Sequence, residues 1–274
     1  MVPQRLSELP GRVRGSLRFH GSRLLCERTD LKPFPCRLDP PGIVTITFDD
    51  FPASARQAGG KVLEAHGARG TYYASFGVMS GAAVRGGAVD DAAARDQIQE
   101  VLALGHEVGC HTFSHIDCAS SGTRATLADI DRNASALEPI LARRSAPGRL
   151  AHFAYPFGWV NLQVKAPLAR HFQTCRGIFP GINRSPLDLA LLRANKLYGG
   201  TQNFQRARRL IDEVARQGGW LIFFTHDVTA DPTPFGCTEQ QLDEVVAHAR
   251  RSGCKLATIG EAMAGLGYSD GGQT

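Results

Sequence analysis

The sequence lacks any apolar stretch long enough to cross a bilayer. Its strongest run, Trp220-Leu-Ile-Phe-Phe224, falls far short of the roughly 20 residues that a membrane-spanning helix needs. It has no Cys-x-x-Cys pair, and its 7 cysteines are odd in number and irregularly spaced, which argues against a disulfide framework and for a reducing compartment. No block of about five like charges occurs, and the net charge of +5 (31 basic less 26 acidic residues) is spread along the chain, so nucleic acid is not expected as a partner. Residues Met1 to Arg23 carry arginines throughout and lack the apolar centre of a secretory signal. These absences lead to the expectation of a cytoplasmic protein.

What is present is a repeated alternation of strand and helix. Residues 1–40, with Pro3, Pro10, Pro33, Pro35 and Pro40, have no clear period and read as an N-terminal arm of unclear structure. Residues 41–265 read as one domain and 266–274 as a flexible tail. Ile43-Val-Thr-Ile-Thr-Phe48 is β-branched and bounded by Pro41 and Asp49-Asp50, which predicts a buried strand. Further strands are predicted over 71–75, 106–110, 150–155, 172–178, 191–197, 220–225 and 255–259. Helices are predicted over 53–66, 90–104, 123–144 (interrupted at Pro139), 204–217 and 238–251. Strands that read as continuous apolar runs suggest a parallel sheet covered on both faces. About seven such units in this length fit an α/β fold with a closed or nearly closed barrel. An open doubly wound sheet is the alternative, although no Gly-x-Gly-x-x-Gly follows the first strand.

A parallel barrel presents its reactive groups at the carboxyl ends of its strands. Those ends read Asp49-Asp50, His111-Thr-Phe-Ser-His115, Tyr155-Pro-Phe-Gly158 and His226-Asp227. Each fragment alone has a bland reading. An Asp-Asp pair caps helices and turns, a His-x-x-x-His pair can be a hydrogen-bonded couple, and His226 can be a core histidine. The other histidines (20, 66, 106, 152, 171 and 248) read as structural or surface groups, His106 because it starts its strand. Together the four ends suit one site. Two imidazoles and a carboxylate leave open positions on a divalent cation, which lowers the pKa of a bound water toward about 7 and polarises a carbonyl. One aspartate of the pair then ligates while the other takes a proton, and a separate imidazole protonates a leaving amine.

The ordered set Thr47-Phe-Asp-Asp50, His111-Thr-x-x-His115, Tyr155-Pro-Phe-Gly158 and Leu221-x-x-x-x-His226 resembles the polysaccharide deacetylases of carbohydrate esterase family 4, the nodulation-type chitooligosaccharide deacetylase group. The resemblance runs from about residue 42 to 260 and implies a distorted (β/α) barrel of about seven parallel strands. It implies Asp49 as catalytic base, His226 as general acid, and Asp50, His111 and His115 as metal ligands. It implies a groove and oxyanion site around Tyr155, Pro156 and Phe157, the Phe157 amide being the donor. The implied cofactor is one divalent ion, zinc first, with cobalt, manganese, nickel or iron also suited to two nitrogens and an oxygen. Many members carry an arginine two residues before the motif-three proline, where this chain has Ala154, and the aspartate that orients the acid histidine has no clear match. Arg176, Asn183, Arg184 and Asn195 are the candidate substitutes.

Tyr72, Tyr73, Phe76, Phe157 and Trp159 lie at or near strand ends as a candidate sugar platform, Trp159 and Tyr73 among the groove residues. The expected partner is an acetylated amino-sugar glycan or glycan precursor, soluble or lipid-linked, and the expected reaction is N-deacetylation. O-deacetylation, deformylation or attack on another non-peptide amide is the alternative among hydrolases. A non-haem iron oxidoreductase and a non-catalytic glycan-binding protein are the alternatives from other classes.

Overall fold

The computed structural model describes residues 24–85, 91–142 and 150–268. The strands, in chain order, are β1 (Pro33–Phe34), β2 (Ile43–Phe48), β3 (Thr71–Ala74), β4 (Glu107–Cys110), β5 (His152–Ala154), β6 (Thr174–Arg176), β7 (Leu187–Asp188), β8 (Asn195–Lys196), β9 (Trp220–Thr225) and β10 (Lys255–Leu256). Seven of them form a curled, all-parallel sheet in the order β6-β5-β4-β3-β2-β9-β8, and β10 pairs with β2. This is the α/β architecture expected from the alternation, in the distorted-barrel form that the family resemblance implied.

The curl closes through one extended segment. The Leu192 amide donates to the Cys175 carbonyl and the Gly177 amide to the Leu192 carbonyl, after which the same chain crosses to β9 as β8. The single strand predicted over 191–197 is therefore split, because its two halves pair with different neighbours.

Every residue of β2 and β9 is buried, as their apolar sequences require for strands covered on both faces. The alternation of side chains divides them between two cores. Trp220, Ile222 and Phe224 face inward with Tyr73, Ala154 and Leu192. Leu221 and Phe223 face outward, toward a shell of helices. The helices used below are α1 (Lys61–Ala65), α2 (Ala92–Ala103), α3 (Cys118–Leu141), α4 (Leu162–His171), α5 (Thr201–Gln217), α6 (Glu239–Arg251) and α7 (Ile259–Gly265). In α5, Phe204, Ala207, Ile211 and Val214 form the buried stripe.

Several expectations need correction. Helix α3 begins at Cys118, capped by the Asp117 carboxylate, and its non-helical residue is Gly122 (φ 76°) rather than Pro139. Pro139 lies in the last turn, where it disturbs few intrahelical bonds. Helix α4 was not expected from the sequence. It carries Pro167 yet is capped by the Asn161 side chain. The strand predicted over 255–259 stops at Leu256, since Thr258 caps α7 in a capping box with Glu261. The second half of the N-terminal arm is stitched to the barrel. β1 pairs antiparallel with β7, and the buried Lys165 ammonium donates to the carbonyls of Cys26 and Thr29 and pairs with Asp188. At the other end Tyr268 packs edge-on against Phe34, so the tail assigned to 266–274 starts within packed structure. Residues 1–23 and 269–274 lie outside the described residues.

Candidate active site

Strand β2 delivers two carboxylates in succession, and the backbone separates them. The Asp49 amide still donates to Thr225 in the β ladder, whereas Asp50 turns into the left-handed region at φ 60°. Asp49 is consequently buried inside the barrel and Asp50 is half-exposed at its rim.

The second motif follows β4. His111 continues the ladder through its amide to Ala74, and its Nδ1–H donates to the Ala154 carbonyl at 2.8 Å. That bond leaves the Nε2 lone pair facing the rim. Burial pushes the His111 imidazole down to about 4, so the ring is neutral at ordinary pH, the state a ligand requires. His115 returns to the same place because the intervening loop is pinned by α3. The Asp129 carboxylate accepts from the amides of Phe113 and Ser114 at 2.8 Å each. One turn on, buried Asn133 accepts from the Phe76 amide and donates to the Ala74 carbonyl. Asp129 and Asn133 were missed in the sequence. The available signal was Asn133 itself, a polar residue in the buried stripe Thr126, Ile130, Asn133, Leu137, Ile140.

These loops converge. Nε2 of His115 lies 3.2 Å and Nε2 of His111 3.6 Å from Asp50 Oδ1, and the three groups form a cluster whose ligand atoms all fall within 4.8 Å of one another. Asp50 Oδ1 is buried and has no hydrogen-bond donor among the described residues. A buried acceptor left unpaired is costly, typically about 1–3 kcal/mol, and here it faces two imidazole nitrogens. A divalent cation satisfies all three at once, and two nitrogens with one carboxylate oxygen suit it.

The backbone around the cluster is strained. Among the described residues the non-glycine residues with positive φ are Asp50, Phe51, Thr112, His115 and Phe157, and all five belong to the motif loops. Each such residue costs on the order of 1–3 kcal/mol and persists only where its surroundings enforce it.

Asp49 has a dedicated partner. Arg176 is fully buried, and its guanidinium pairs with Asp49 Oδ1 while its face lies over the rings of Tyr73 and Phe224. Burial alone would raise the Asp49 carboxyl, but the Arg176 guanidinium, helped by His111 and His226, outweighs it and holds the carboxyl below its ordinary value. Arg176 on β6 is the register partner of Ala154 on β5, so both side chains enter the barrel side by side. The small Ala154 thus stands next to an arginine supplied by the neighbouring strand.

His226 follows β9 and lies across the cluster, its Nε2 3.9 Å from Asp50 Oδ2 and its side chain 22% exposed. Its Nδ1 faces the Phe235 carbonyl at 3.2 Å, which makes Nδ1 the protonated nitrogen. Asp227 does not orient this ring. It accepts from the Thr233 amide and hydroxyl and so folds the loop that carries Phe235.

The aromatic platform is smaller than the sequence suggested. Tyr72, Tyr73, Tyr155, Pro156 and Phe76 are buried, and the Tyr155 hydroxyl is used on the Ala190 carbonyl. Phe157 and Trp159 are exposed, 5.1 Å apart, and Phe157 packs edge-on to His115 at 4.3 Å. The turn that lifts Phe157 out needs Gly158, where a Cβ would come within 2.2 Å of Ile178. Asn183 and Arg184 are not part of the cluster. Asn183 bonds the Arg193 backbone and the Trp220 carbonyl at the start of β9, and Arg184 pairs with Glu213 on the surface. Asn195 clamps the backbone of Gly181.

Residues 38–172 match the family model described as polysaccharide deacetylase. No curated protein matches the chain in sequence. Among solved structures the chain is similar to the chitin deacetylase from the fungal pathogen Colletotrichum lindemuthianum, with a TM-score of 0.56 and 16% identity over 86% of this chain and 92% of that one. It is similar to a family 4 acetyl xylan esterase from Clostridium thermocellum in complex with a cobalt ion, with a TM-score of 0.57 and 19% identity over 83% and 93% of the two chains. A carbohydrate esterase family 4 pseudoenzyme from Bacillus anthracis gives a TM-score of 0.55 and 12% identity over 86% of this chain and 70% of that one. At these identities the solved structures share a fold with this chain. The matched family model and the four motifs gathered at one barrel rim show the resemblance to the polysaccharide deacetylases of carbohydrate esterase family 4, with residues 38–172 matching that family directly.

Proposed function

We propose that the chain removes an N-acetyl group from an amino sugar within a glycan or glycan precursor, with a divalent ion held by Asp50, His111 and His115. The observation that carries this reading is the unpaired, buried Asp50 Oδ1 between two imidazole nitrogens, beside a second aspartate kept ionised by Arg176. When bound, the ion supplies Lewis acidity and a water that ionises near neutral pH.

The chain's own residues do the rest. Asp49 accepts the proton of the attacking water, and Arg176 holds that carboxylate charged and fixed for the task. His226, with Nδ1–H committed to the Phe235 carbonyl, presents Nε2 to the departing amine and protonates it. The backbone amide of Phe157 donates to the oxyanion, an interaction typically worth about 3 kcal/mol. Exposed Phe157 and Trp159 offer apolar faces to a sugar ring. Zinc is the first choice of ion, and the cobalt of the clostridial esterase is a second. The seven cysteines, none in a disulfide, support a reducing, cytoplasmic setting.

The pseudoenzyme neighbour shows that the fold does not guarantee activity, so the test must act on residues. Acetate release is measured from N-acetylglucosamine oligomers with added zinc or cobalt. Asp49→Asn is expected to lower the rate by about 10²–10⁴-fold while the ion still binds. Faster release from acetylated xylan points to O-deacetylation. A bound ion without acetate release from either substrate overturns the hydrolase reading.

A further inference from the structure

Beside the proposed catalytic centre lies a second cavity, of about 330 Å³, between β8, the first turns of α5 and the segment around Pro180. Lys196 and Arg206 line it, and no carboxylate does. Both cations are exposed, and neither makes an ion pair among the described residues. The neighbouring arginines differ. Arg184 pairs with Glu213, Arg193 with Glu27 and Arg208 with Glu244. Exposed Arg209 and Arg216 of α5 also have no carboxylate partner among the described residues, but of these four cations only Lys196 and Arg206 line the cavity. Helix α5 also begins there, at Gly200, without a side-chain cap on its first amides, so its positive end adds to the same field.

The cavity and the catalytic cluster share a wall. Tyr198 and Phe224 line the cavity, and the Tyr198 ring lies 5.5 Å from Phe224 and 6.0 Å from the His226 ring. Lys196 is the register partner of Phe224, two residues before His226, so its ammonium stands at the same end of the barrel as the reacting groups. A neutral acetylated sugar chain has no charge for such a wall to meet. An oxyanion does, and charge-assisted bonds from an ammonium and a guanidinium are the usual way to hold one.

We propose that this cavity is an anion subsite, taking a phosphate or carboxylate carried by the glycan on the His226 side of the catalytic centre. The carrier's identity rests on the deacetylase reading, whereas the affinity for an oxyanion does not. The substrate class is thereby narrowed to acidic or phosphorylated amino-sugar glycans and precursors.

The 274-residue chain, freed of metal by a chelator, is titrated with inorganic phosphate at low salt by calorimetry and compared with Lys196→Gln/Arg206→Gln. Loss of two charged hydrogen-bond donors is expected to weaken binding by about tenfold or more. In parallel, kcat/KM for acetate release is measured on neutral, phosphate-bearing and carboxylate-bearing amino-sugar oligomers of one length. One anionic substrate is expected to be preferred over the neutral one by about tenfold, with the ratio falling toward unity in the double variant. The preferred substrate distinguishes phosphate from carboxylate. Phosphate binding that is absent or equal in the two proteins, together with an unchanged ratio, overturns the subsite while leaving the deacetylase standing. If no oligomer releases acetate, the deacetylase reading falls and the titration alone decides the subsite.

Discussion

The barrel buries histidine beside carboxylate at both of its ends. At the amino end the first residues of four adjacent strands meet: Thr71, Glu107, His152 and Thr174. Glu107 accepts from the Thr71 hydroxyl at 2.6 Å and from the Gly260 amide at 3.0 Å, and it lies 3.3 Å from His152 Nε2. The other imidazole nitrogen of His152 meets the Thr174 hydroxyl at 2.9 Å. That quartet anchors the start of α7 and is satisfied within the protein. At the carboxyl end, Asp50 Oδ1 has two imidazole nitrogens for company and no donor among the described residues, and the loops that hold them contain left-handed residues. The same residue types make a structural clamp in one place and a candidate metal centre in the other. What separates them is whether the protein itself supplies every hydrogen-bond partner.

The contrast breaks most sharply at the carboxyl end. Asp50→Asn is expected to abolish zinc binding, read by metal analysis of the purified protein, and to lower acetate release by about a thousandfold or more, the several kcal/mol that a bound ion contributes. The unfolding temperature of the metal-free chain should hold, because Asp50 Oδ1 makes no hydrogen bond to lose. A large drop in that temperature would place Asp50 with the amino-end quartet.

Arg176→Ala comes next, with an expected 10–100-fold loss in activity, the range for groups that orient a reacting residue. Its pH profile identifies the cause. Asp49 titrates below its ordinary value only because Arg176 and two imidazoles overcome its burial. With the guanidinium gone, burial dominates and the acidic limb of kcat/KM should move up toward neutrality. The stability linkage has the same origin. A carboxyl whose folded pKa is depressed contributes stability above its unfolded value near 3.9, and the contribution is lost as pH falls through the folded value. The stability gap between wild type and variant, measured by denaturant unfolding, should therefore be widest above the raised value of Asp49 in the variant, narrow as pH falls through it, and narrow further below about pH 4 as the wild-type contribution is lost. Adding Ala154→Arg to the variant restores a guanidinium from the adjacent strand and should recover part of the rate. An unmoved acidic limb in Arg176→Ala would refute the role assigned to that pair.

The smallest effect belongs to the amino end. Glu107→Gln should cost about 1–3 kcal/mol of stability, since it weakens a buried, multiply bonded acceptor. Its metal content and kcat should stay those of the wild type. Loss of bound zinc in that variant would erase the distinction between the two ends.

Much of this was legible from local patterns. The apolar runs Ile43–Phe48 and Trp220–Thr225 are strands because only a sheet covered on both faces buries every residue of such a run. Asp49, Asp50, His111, His115 and His226 stood out because each ends a strand, and parallel strands bring their carboxyl ends to one rim. Their neighbours were harder to place. Asn183, Arg184 and Asn195 lie near Arg176 in sequence, yet only Arg176 reaches Asp49, since it alone is register-paired with Ala154 and points inward. Tyr73 and Tyr155 carry the same chemistry as exposed aromatics, and the barrel wall buries them. The carbonyl of Phe235 that orients His226 has no side-chain signature at all.

By itself, then, the sequence determined which segments are strands, where each ends and which titratable groups stand there, because those properties depend on hydrophobic period and on chain direction. Only the tertiary structure decided which groups meet sideways: Arg176 with Asp49, Asp129 with the His111–His115 loop, Lys196 and Arg206 around one cavity. Lateral register and helix docking are set by packing across the whole barrel, and no local stretch of residues encodes them.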